Sequence, residues 1–316
     1  MQTTIAPGGT GLASGERVTV VLDAPVDLPR TIGSLRRGHR DPTYTPTTDG
    51  AIWRTTLMPA GAATLRLQQT APDTVVANAW GPGATEALAS APGMVGAHDD
   101  GAAFDPPPGV VRDAHRRTAR IRIPRTVRVR ESLLPAILEQ KVITRTAHDA
   151  WRALRRLHGA PAPGPAPVGM RVPPSAEVWA RVPTWDFHRA GVDPRRARTV
   201  VEAARLAHAV EGCVRLDRDS ASARLCHVRG VGPWTAAETA QRALGDADAV
   251  SVGDFHLPNQ VGWALAGRRT DDAGMLELLE PYRGHRYRVI RALMLCGLTR
   301  YERHGPRMSI EEHRRR

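Results

Sequence analysis

Short hydrophobic runs separated by turn residues dominate the first third of the chain. Apolar and β-branched residues cluster in four such runs, at 17–22, 52–57, 63–69 and 74–79. Runs of this length bounded by Gly, Pro, Asp and Thr are typical of antiparallel strands. We therefore predict a β-rich N-terminal domain over 17–108. The Gly-, Ala- and Thr-rich segment before it, 1–16, is predicted to be disordered.

The hydrophobic spacing becomes helical after the segment DPPPG at 105–109, which we interpret as an interdomain linker. Apolar residues recur every three or four positions over 131–158, and Thr144 interrupts the series, which leaves open two helices rather than one. A second Pro/Gly-rich linker is predicted at 160–169. Further helices are predicted at 175–181, 194–211, 219–227, 233–244, 256–266, 272–280 and 284–298. The pattern predicts an α+β protein: the β-rich domain, a mostly α-helical domain over 109–300, and a basic tail over 301–316.

Charge narrows the class of partner. The formal net charge is +12, and Lys141 is the only lysine, so nearly all of the positive charge is arginine. A basic chain without an apolar stretch long enough to span a bilayer most often binds a polyanion, although an arginine-rich composition bias would give the same charge. Charge alone therefore favours DNA or RNA without deciding between binding and bias.

Cysteine usage excludes several chemistries. The three cysteines, Cys213, Cys226 and Cys296, are widely spaced and odd in number. No pair has metal-ligand spacing, no disulfide framework is implied, and a four-cysteine iron–sulfur cluster is excluded. The N-terminus also lacks the basic and apolar regions of a secretory signal. We expect a cytoplasmic protein, associated with the nucleoid through DNA, with no metal held by side chains.

The segment from Leu225 to Ala236 reads LCHVRGVGPWTA and has the composition of a tight turn before a helix. Gly230 and Gly232 permit the turn, and Pro233 suits the first position of a helix because its missing N–H would be unpaired there. Exposed amides at a helix N-terminus form a ready phosphate site. A Gly-x-Gly turn alone also has many purely structural explanations.

An aspartate follows this turn at a fixed distance. Asp254 lies twenty positions after Trp234, at the end of the apolar loop AVSVGD. The position is that of a helix N-cap, which is the simplest structural explanation. A carboxylate there is also able to stabilise positive charge that develops on a sugar, and to orient or deprotonate a water. Asp246 and Asp248 are interpreted as solvated loop residues.

Together, the turn and the aspartate resemble the helix-hairpin-helix-GPD superfamily of base-excision DNA glycosylases, whose turn is usually Leu-Pro-Gly-Val-Gly. The hairpin covers 225–241, and Arg229 replaces the usual proline. The resemblance implies that Asp254 is catalytic and that the helical domain has two parts. It further implies that the following residues bind DNA: Arg229, Gly230, Val231, Gly232, Thr235, Gln140 and Lys141. Trp234 stands where bifunctional relatives carry a Schiff-base lysine, which implies a monofunctional hydrolase.

Within the superfamily the chain is similar to the 3-methyladenine DNA glycosylase II, or AlkA-like, family. Ile137 to Gln140 resembles the family's Ile-Leu-x-Gln helix, and Lys141 falls at its DNA-inserting wedge. The resemblance implies a base pocket formed by Trp234, Glu238 and Phe255, although Glu238 replaces a pocket tyrosine. The superfamily often holds Na⁺ or K⁺ on hairpin carbonyls, here those of Cys226, Val228 and Val231.

We therefore expect a monomeric glycosylase that flips a damaged base out of double-stranded DNA and hydrolyses its N-glycosidic bond in base excision repair. The expected lesion is an N-alkylated purine such as 3-methyladenine or 7-methylguanine. Only 4% of residues are aromatic, which weakens a cation–π pocket for such bases. Hypoxanthine or an oxidised purine is therefore an alternative lesion, and a non-catalytic hairpin that only binds DNA is an alternative function.

Overall fold

The computed structural model describes residues 2–6 and 15–300, with side chains described for 15–300. The basic tail predicted at 301–316 lies outside the described residues. No helix in the described ranges is long and apolar enough to cross a membrane.

The N-terminal part is an antiparallel sheet of six strands in the order β1-β2-β6-β5-β4-β3. The strands are β1 (Gln2–Ala6), β2 (Glu16–Val21), β3 (Tyr44–Pro46), β4 (Ile52–Met58), β5 (Gly61–Ala71) and β6 (Thr74–Trp80). The four predicted strands correspond to β2, β4, β5 and β6. The expected disorder over 1–16 is wrong for Gln2–Ala6, which pairs with β2 as an edge strand.

Two helices complete this part of the molecule: α1 (Leu28–Ile32) and α2 (Ala84–Met94). Alternate residues of β2, β5 and β6, such as Val20, Leu65 and Val75, are fully buried, as expected for strands with one face on a core. Helix α2 covers that face with small side chains, and the shared core ends near Val95.

From there to residue 300, the structure describes twelve α-helices, α3 to α14, and a two-stranded ribbon. Their bounds are α3 (Val110–Arg117), α4 (Val129–Leu138), α5 (Thr144–His158), β7 (Ala160–Pro161), β8 (Arg171–Val172), α6 (Ala176–Arg181), α7 (Thr184–Arg189), α8 (Pro194–Arg205), α9 (Ala207–Glu211), α10 (Arg218–Cys226), α11 (Pro233–Ala243), α12 (Leu257–Ala266), α13 (Asp272–Leu279) and α14 (Arg286–Leu295). The break near Thr144 therefore separates two helices. The helix predicted at 194–211 is also two helices.

Two hydrophobic cores divide the helical part. Helices α4 to α11 enclose one core around Trp179, Phe187 and Leu225. Helix α3 precedes them in sequence but packs with α12, α13 and α14 in the other. The expected two-part α-helical domain after an antiparallel sheet is therefore confirmed. The hairpin between α10 and α11 and the loop before α12 lie where these two cores meet.

The second predicted linker is not a free connection. Its first residues form β7, which pairs with β8, and Gly164 lies against the ring of Trp80. Thr55 in β4 donates a hydrogen bond to the carbonyl of Arg171 at 2.6 Å. The segment therefore packs on the sheet and fixes the sheet against the helical part.

Candidate active site

The hairpin turn predicted at 225–241 joins the end of α10 to the start of α11. The amide of Val231 donates to the carbonyl of Val228 at 2.9 Å and closes the turn. Gly230 has φ +94°, and a Cβ there would collide with the hydroxyl of Thr199 on α8. Glycine is therefore required at this position both for its backbone conformation and for its close approach to α8.

The first turn of α11 leaves amides facing outward. Gly232 is the extended residue before the helix, no side chain caps it, and Pro233 occupies the first helical position. The unpaired amides of a helix N-terminus carry partial positive charge and suit a phosphate. The hairpin therefore has the backbone arrangement of a phosphate site.

Three side chains that were predicted to bind DNA also hold the hairpin in place. Gln140 donates from Nε2 to the carbonyl of Gly230 and to Oγ1 of Thr235, both at 2.9 Å. Thr235 is 2% exposed, and Val231 packs in the core of α4 to α11. Sequence motifs gave no sign of this bridge, because the two partners are 90 and 95 residues from Gln140. These residues shape the turn from behind.

Two cations stand free on the same side. Arg229, in the turn, and Lys141, between α4 and α5, are exposed, and neither has a hydrogen bond or ion pair within the described residues. Lys141 has φ +53°, a left-handed conformation that side chains rarely adopt. Strained backbone at a loop tip is common at functional sites. Both residues therefore remain candidates for DNA contact.

Asp254 lies before α12 and uses its two carboxylate oxygens differently. Oδ1 accepts the amides of His256 (2.8 Å) and Leu257 (2.9 Å), which is the N-cap arrangement. Oδ2 accepts the indole N–H of Trp234 at 3.0 Å. The carboxylate is half-buried, so its helix cap coexists with access for water. The hairpin helix and this loop therefore bring Trp234 and Asp254 into direct contact.

The other two predicted pocket residues do not join this pair. The ring of Phe255 is 77% exposed and meets the ring of His256 edge-on. Glu238 is bound by Arg242 at 2.8 Å and by the hydroxyl of Ser251 at 2.6 Å. Burial opposes the charge of Arg242, but Glu238 together with Tyr287 and Glu139 outweighs burial and raises the pKa of Arg242. The Glu238 carboxylate is therefore already committed within the protein.

Asp248 is buried and binds several backbone and side-chain groups, so the expectation of a solvated loop residue was wrong. Its side chain is 2% exposed and accepts the amides of Gly284 and Arg286. It also binds the guanidinium groups of Arg286 and Arg218. Burial disfavours its charge, but the hydrogen bonds from Arg286 outweigh burial and lower the pKa of Asp248. This carboxylate ties α10 to the start of α14 beneath the Asp254 loop.

Two further carboxylates fix loops around the site. Asp272, at the start of α13, accepts the amide of Gly253 at 3.1 Å, beside Asp254. Glu139, next to Gln140, binds the Arg37 guanidinium at 3.0 Å and lies 3.5 Å from His148. Burial would raise the pKa of Glu139, but Arg37 and His148 lower it to about 2. A single sequence could not reveal these pairs, since each joins distant elements.

Within the described residues, no group of three or more His, Cys, Asp or Glu side chains is able to hold a metal ion. The carbonyls of Cys226, Val228 and Val231 all belong to the hairpin turn. The Val228 carbonyl accepts one hydrogen bond, from Val231, and so keeps a second lone pair. Neutral carbonyls of this kind fit a monovalent cation.

No family model matches the chain. A stretch of 140 residues, 43% of the chain, is 34% identical to a protein of Mycobacterium tuberculosis described as a probable bifunctional transcriptional activator/DNA repair enzyme AlkA. The match occupies 27% of that relative, so the chain spans about a quarter of the relative's length. Relatives of this description occur in two strains of the species.

Solved structures share the fold over most of both chains. The 3-methyladenine DNA-glycosylase of Archaeoglobus fulgidus has a TM-score of 0.71 at 16% identity, covering 87% of this chain and 97% of its own. MBOgg1, solved with a DNA ligand, has a TM-score of 0.72 at 16% identity, and the match covers 94% of this chain and 98% of MBOgg1. The 8-oxoguanine glycosylase/lyase of Clostridium acetobutylicum has a TM-score of 0.68 at 14% identity, and the match covers 88% of this chain and 95% of that protein.

Proposed function

From the partial similarity to the AlkA relative and the fold shared with DNA glycosylases, we propose that the chain is a monofunctional DNA glycosylase of the helix-hairpin-helix-GPD superfamily, on its AlkA-like side. The proposed reaction is hydrolysis of the N-glycosidic bond of a damaged base flipped out of double-stranded DNA, by a monomer in base excision repair. The observation that carries the proposal is the Asp254 carboxylate, held by Trp234 of the hairpin helix and by the first amides of α12.

The proposed chemistry follows from one oriented anion. As the glycosidic bond breaks, positive charge builds on the deoxyribose, and a nearby carboxylate stabilises it. The positions of both Asp254 oxygens are fixed by hydrogen bonds, so little reorganisation is needed as charge develops. Half-exposure of the carboxylate allows a water to reach the sugar beside it. The leaving base departs without a second acid when alkylation has already made it cationic.

The absence of a lysine at position 234 supports hydrolysis without strand cleavage. Trp234 is unable to form a Schiff base with the opened sugar, and Lys141 is the only lysine of the chain. Borohydride reduction during the reaction should therefore trap no protein–DNA adduct. An adduct that forms in the wild type and disappears in Lys141→Arg would contradict the monofunctional assignment.

An N-alkylated purine is the proposed lesion, and an oxidised purine or hypoxanthine is the second candidate. The second candidate is favoured by the environment of Trp234, which makes no ring–ring contact among the described residues, while Phe255 points into solvent. A cationic base is best held between several aromatic faces. A neutral lesion depends more on hydrogen bonds and less on such a cage.

A panel of duplexes separates these lesions. Each duplex carries one 7-methylguanine, 3-methyladenine, hypoxanthine or 8-oxoguanine, and the free base is quantified by mass spectrometry. Release of a methylated purine, with a strand that breaks only after alkali, is the expected result. Release confined to hypoxanthine or 8-oxoguanine would establish the second lesion class. Salt-dependent binding with no base release from any duplex would leave a non-catalytic DNA-binding protein.

The hairpin carbonyls of Cys226, Val228 and Val231 are the proposed ligands of a monovalent cation. Such an ion would add positive charge at the phosphate site of the turn. The amides of the first turn of α11 and the free Arg229 would hold the same phosphate.

A further inference from the structure

A basic groove runs between the loop at 36–46 and helix α5. We call it the α5 groove and define it by Arg36, His39, Arg40, Arg145, Arg152 and Arg156. Two adjoining clefts, both lined by His39 and Arg40, form it, and the one beside the start of α5 encloses about 510 Å³. The sheet contributes the loop at 36–40, and α5 contributes one face of a helix.

The arginines of α5 form a stripe along its axis. Arg145, Arg152 and Arg156 are seven and four residues apart, a spacing that places side chains on one helix face. At a rise of about 1.5 Å per residue, the stripe extends about 16 Å from Arg145 to Arg156. One strand of B-DNA places a phosphate every ~3.4 Å along its axis, so the stripe matches about five base pairs.

Three arginines of the groove are available for a ligand. Arg40, Arg145 and Arg156 are exposed, and none has a hydrogen bond or ion pair within the part of the chain that is described. The two acidic residues of the lining are already bound within the protein. Asp149 accepts from Arg152 at 2.8 Å, and Asp41 accepts the amides of Arg37 and Thr43. The groove is therefore positive with no free carboxylate to oppose an anion.

The loop from the sheet is built to lie against α5. Gly38 has φ +82°, and a Cβ there would lie 2.7 Å from Nδ1 of His148, so only glycine allows this approach. Arg36 donates to the carbonyl of His39 at 2.7 Å and lies over the ring of Tyr44. The salt bridge from Arg37 to Glu139 then fixes the same loop beside Gln140 and Lys141. The groove is thus a fixed extension of the candidate DNA-inserting loop.

We propose that the α5 groove binds the phosphate backbone of duplex DNA on one side of the lesion. The proposal rests on the proposed DNA substrate and assigns the N-terminal sheet a direct part in holding it. The nearness of the groove in sequence to Lys141, which lies three residues before α5, its length and its three unpaired arginines favour a duplex that leaves the lesion and passes over the sheet. Phosphate contacts fix the register of the protein on DNA without reading sequence.

The test compares a triple variant of the groove and a double control variant with wild type. The groove variant is Arg40→Gln, Arg145→Gln and Arg156→Gln, and the control variant is Arg116→Gln and Arg117→Gln on α3, which removes exposed arginines of another surface. Binding of undamaged duplexes is measured by fluorescence anisotropy across a salt series. Each lost phosphate contact should reduce the slope of log K against log [salt] by about 0.9. We expect the groove variant to reduce the slope by about 2 to 3 and the affinity at least about tenfold.

A second measurement uses duplexes that contain a lesion and are extended on only one side of it. The groove variant should lose affinity for the extension on one side and bind the opposite extension like wild type. Equal loss on both sides, or a loss no larger than that of the α3 variant, would overturn the proposal. Tighter, groove-dependent binding of single-stranded RNA than of the duplex would overturn it as well. A failure of the proposed function appears separately, as wild type that releases no base while groove-dependent DNA binding persists.

Discussion

Replacing Trp234 by phenylalanine removes the indole N–H that binds Oδ2 of Asp254 at 3.0 Å and keeps an aromatic ring in the same position. The two amides on Oδ1 remain, so the helix cap is preserved. Oδ2 then turns more freely toward water. The variant therefore tests whether the orientation of this one oxygen contributes to catalysis.

The size of the effect follows from the strength of one hydrogen bond to a charged group. Such bonds contribute about 1.5–3 kcal/mol. Because Asp254 is half-exposed, water replaces part of the lost bond, and the lower value applies. About 1.5 kcal/mol corresponds to roughly a tenfold lower rate of base release.

The assay is single-turnover base release at saturating enzyme, with the Kd for lesion-containing DNA and the Tm measured beside it. We expect the rate of Trp234→Phe to fall about tenfold, while the Kd changes less than about twofold. Trp185→Phe is the matched control, since Trp185 is 64% exposed on α7. A wild-type rate in Trp234→Phe would refute the reasoning. A loss confined to the Kd would instead assign Trp234 to base stacking.

Two further predictions concern the hairpin and the loop before Lys141. Gly230→Ala should lower the Tm by several degrees and weaken DNA binding, because a Cβ there meets Thr199 and φ is positive. Gly232→Ala is the control and should melt close to wild type, since a Cβ there has nothing within 4 Å and φ is extended. Equal melting temperatures of the two variants would contradict the contact with Thr199. Since the pKa of Glu139 is lowered to about 2, its pairing with Arg37 stabilises the fold above the ordinary pKa of 4.5, and this contribution is lost as the pH falls from there toward 2. The Tm gap between wild type and Glu139→Gln should therefore be widest above about pH 4.5 and narrow as the pH falls from there toward 2, and a gap independent of pH would count against the pairing.

The strands and helices with strong periodic patterns were predictable from the sequence. Strands β4, β5 and β6 have apolar residues on a buried face, and α11 begins at Pro233 as expected. Helix α2 was missed because its buried residues are mostly alanine, glycine and Pro92, which produce no apolar period. The grouping of α3 with α12 to α14 was not predictable either, since it depends on packing between segments far apart in sequence.

In the candidate site, too, some features were predictable from the sequence and others were not. Asp254 and Trp234 were selected as candidates from the sequence, and one helix and one loop bring their side chains into contact. The bridge from Gln140 to the hairpin was not predictable, because it joins residues about ninety positions apart. Phe255 follows Asp254 in sequence, but its side chain is largely exposed to solvent. Its place next to Asp254 in the sequence therefore did not predict that the Phe255 side chain is exposed.

Asp254→Asn tests the central claim most directly. Asparagine keeps an oxygen able to accept the capping amides of His256 and Leu257 while removing the negative charge. Single-turnover release of the preferred lesion should fall on the order of 100- to 1000-fold, with DNA affinity and Tm close to wild type. A variant that releases the base at the wild-type rate would contradict the assignment of Asp254 as the residue that stabilises the charged sugar.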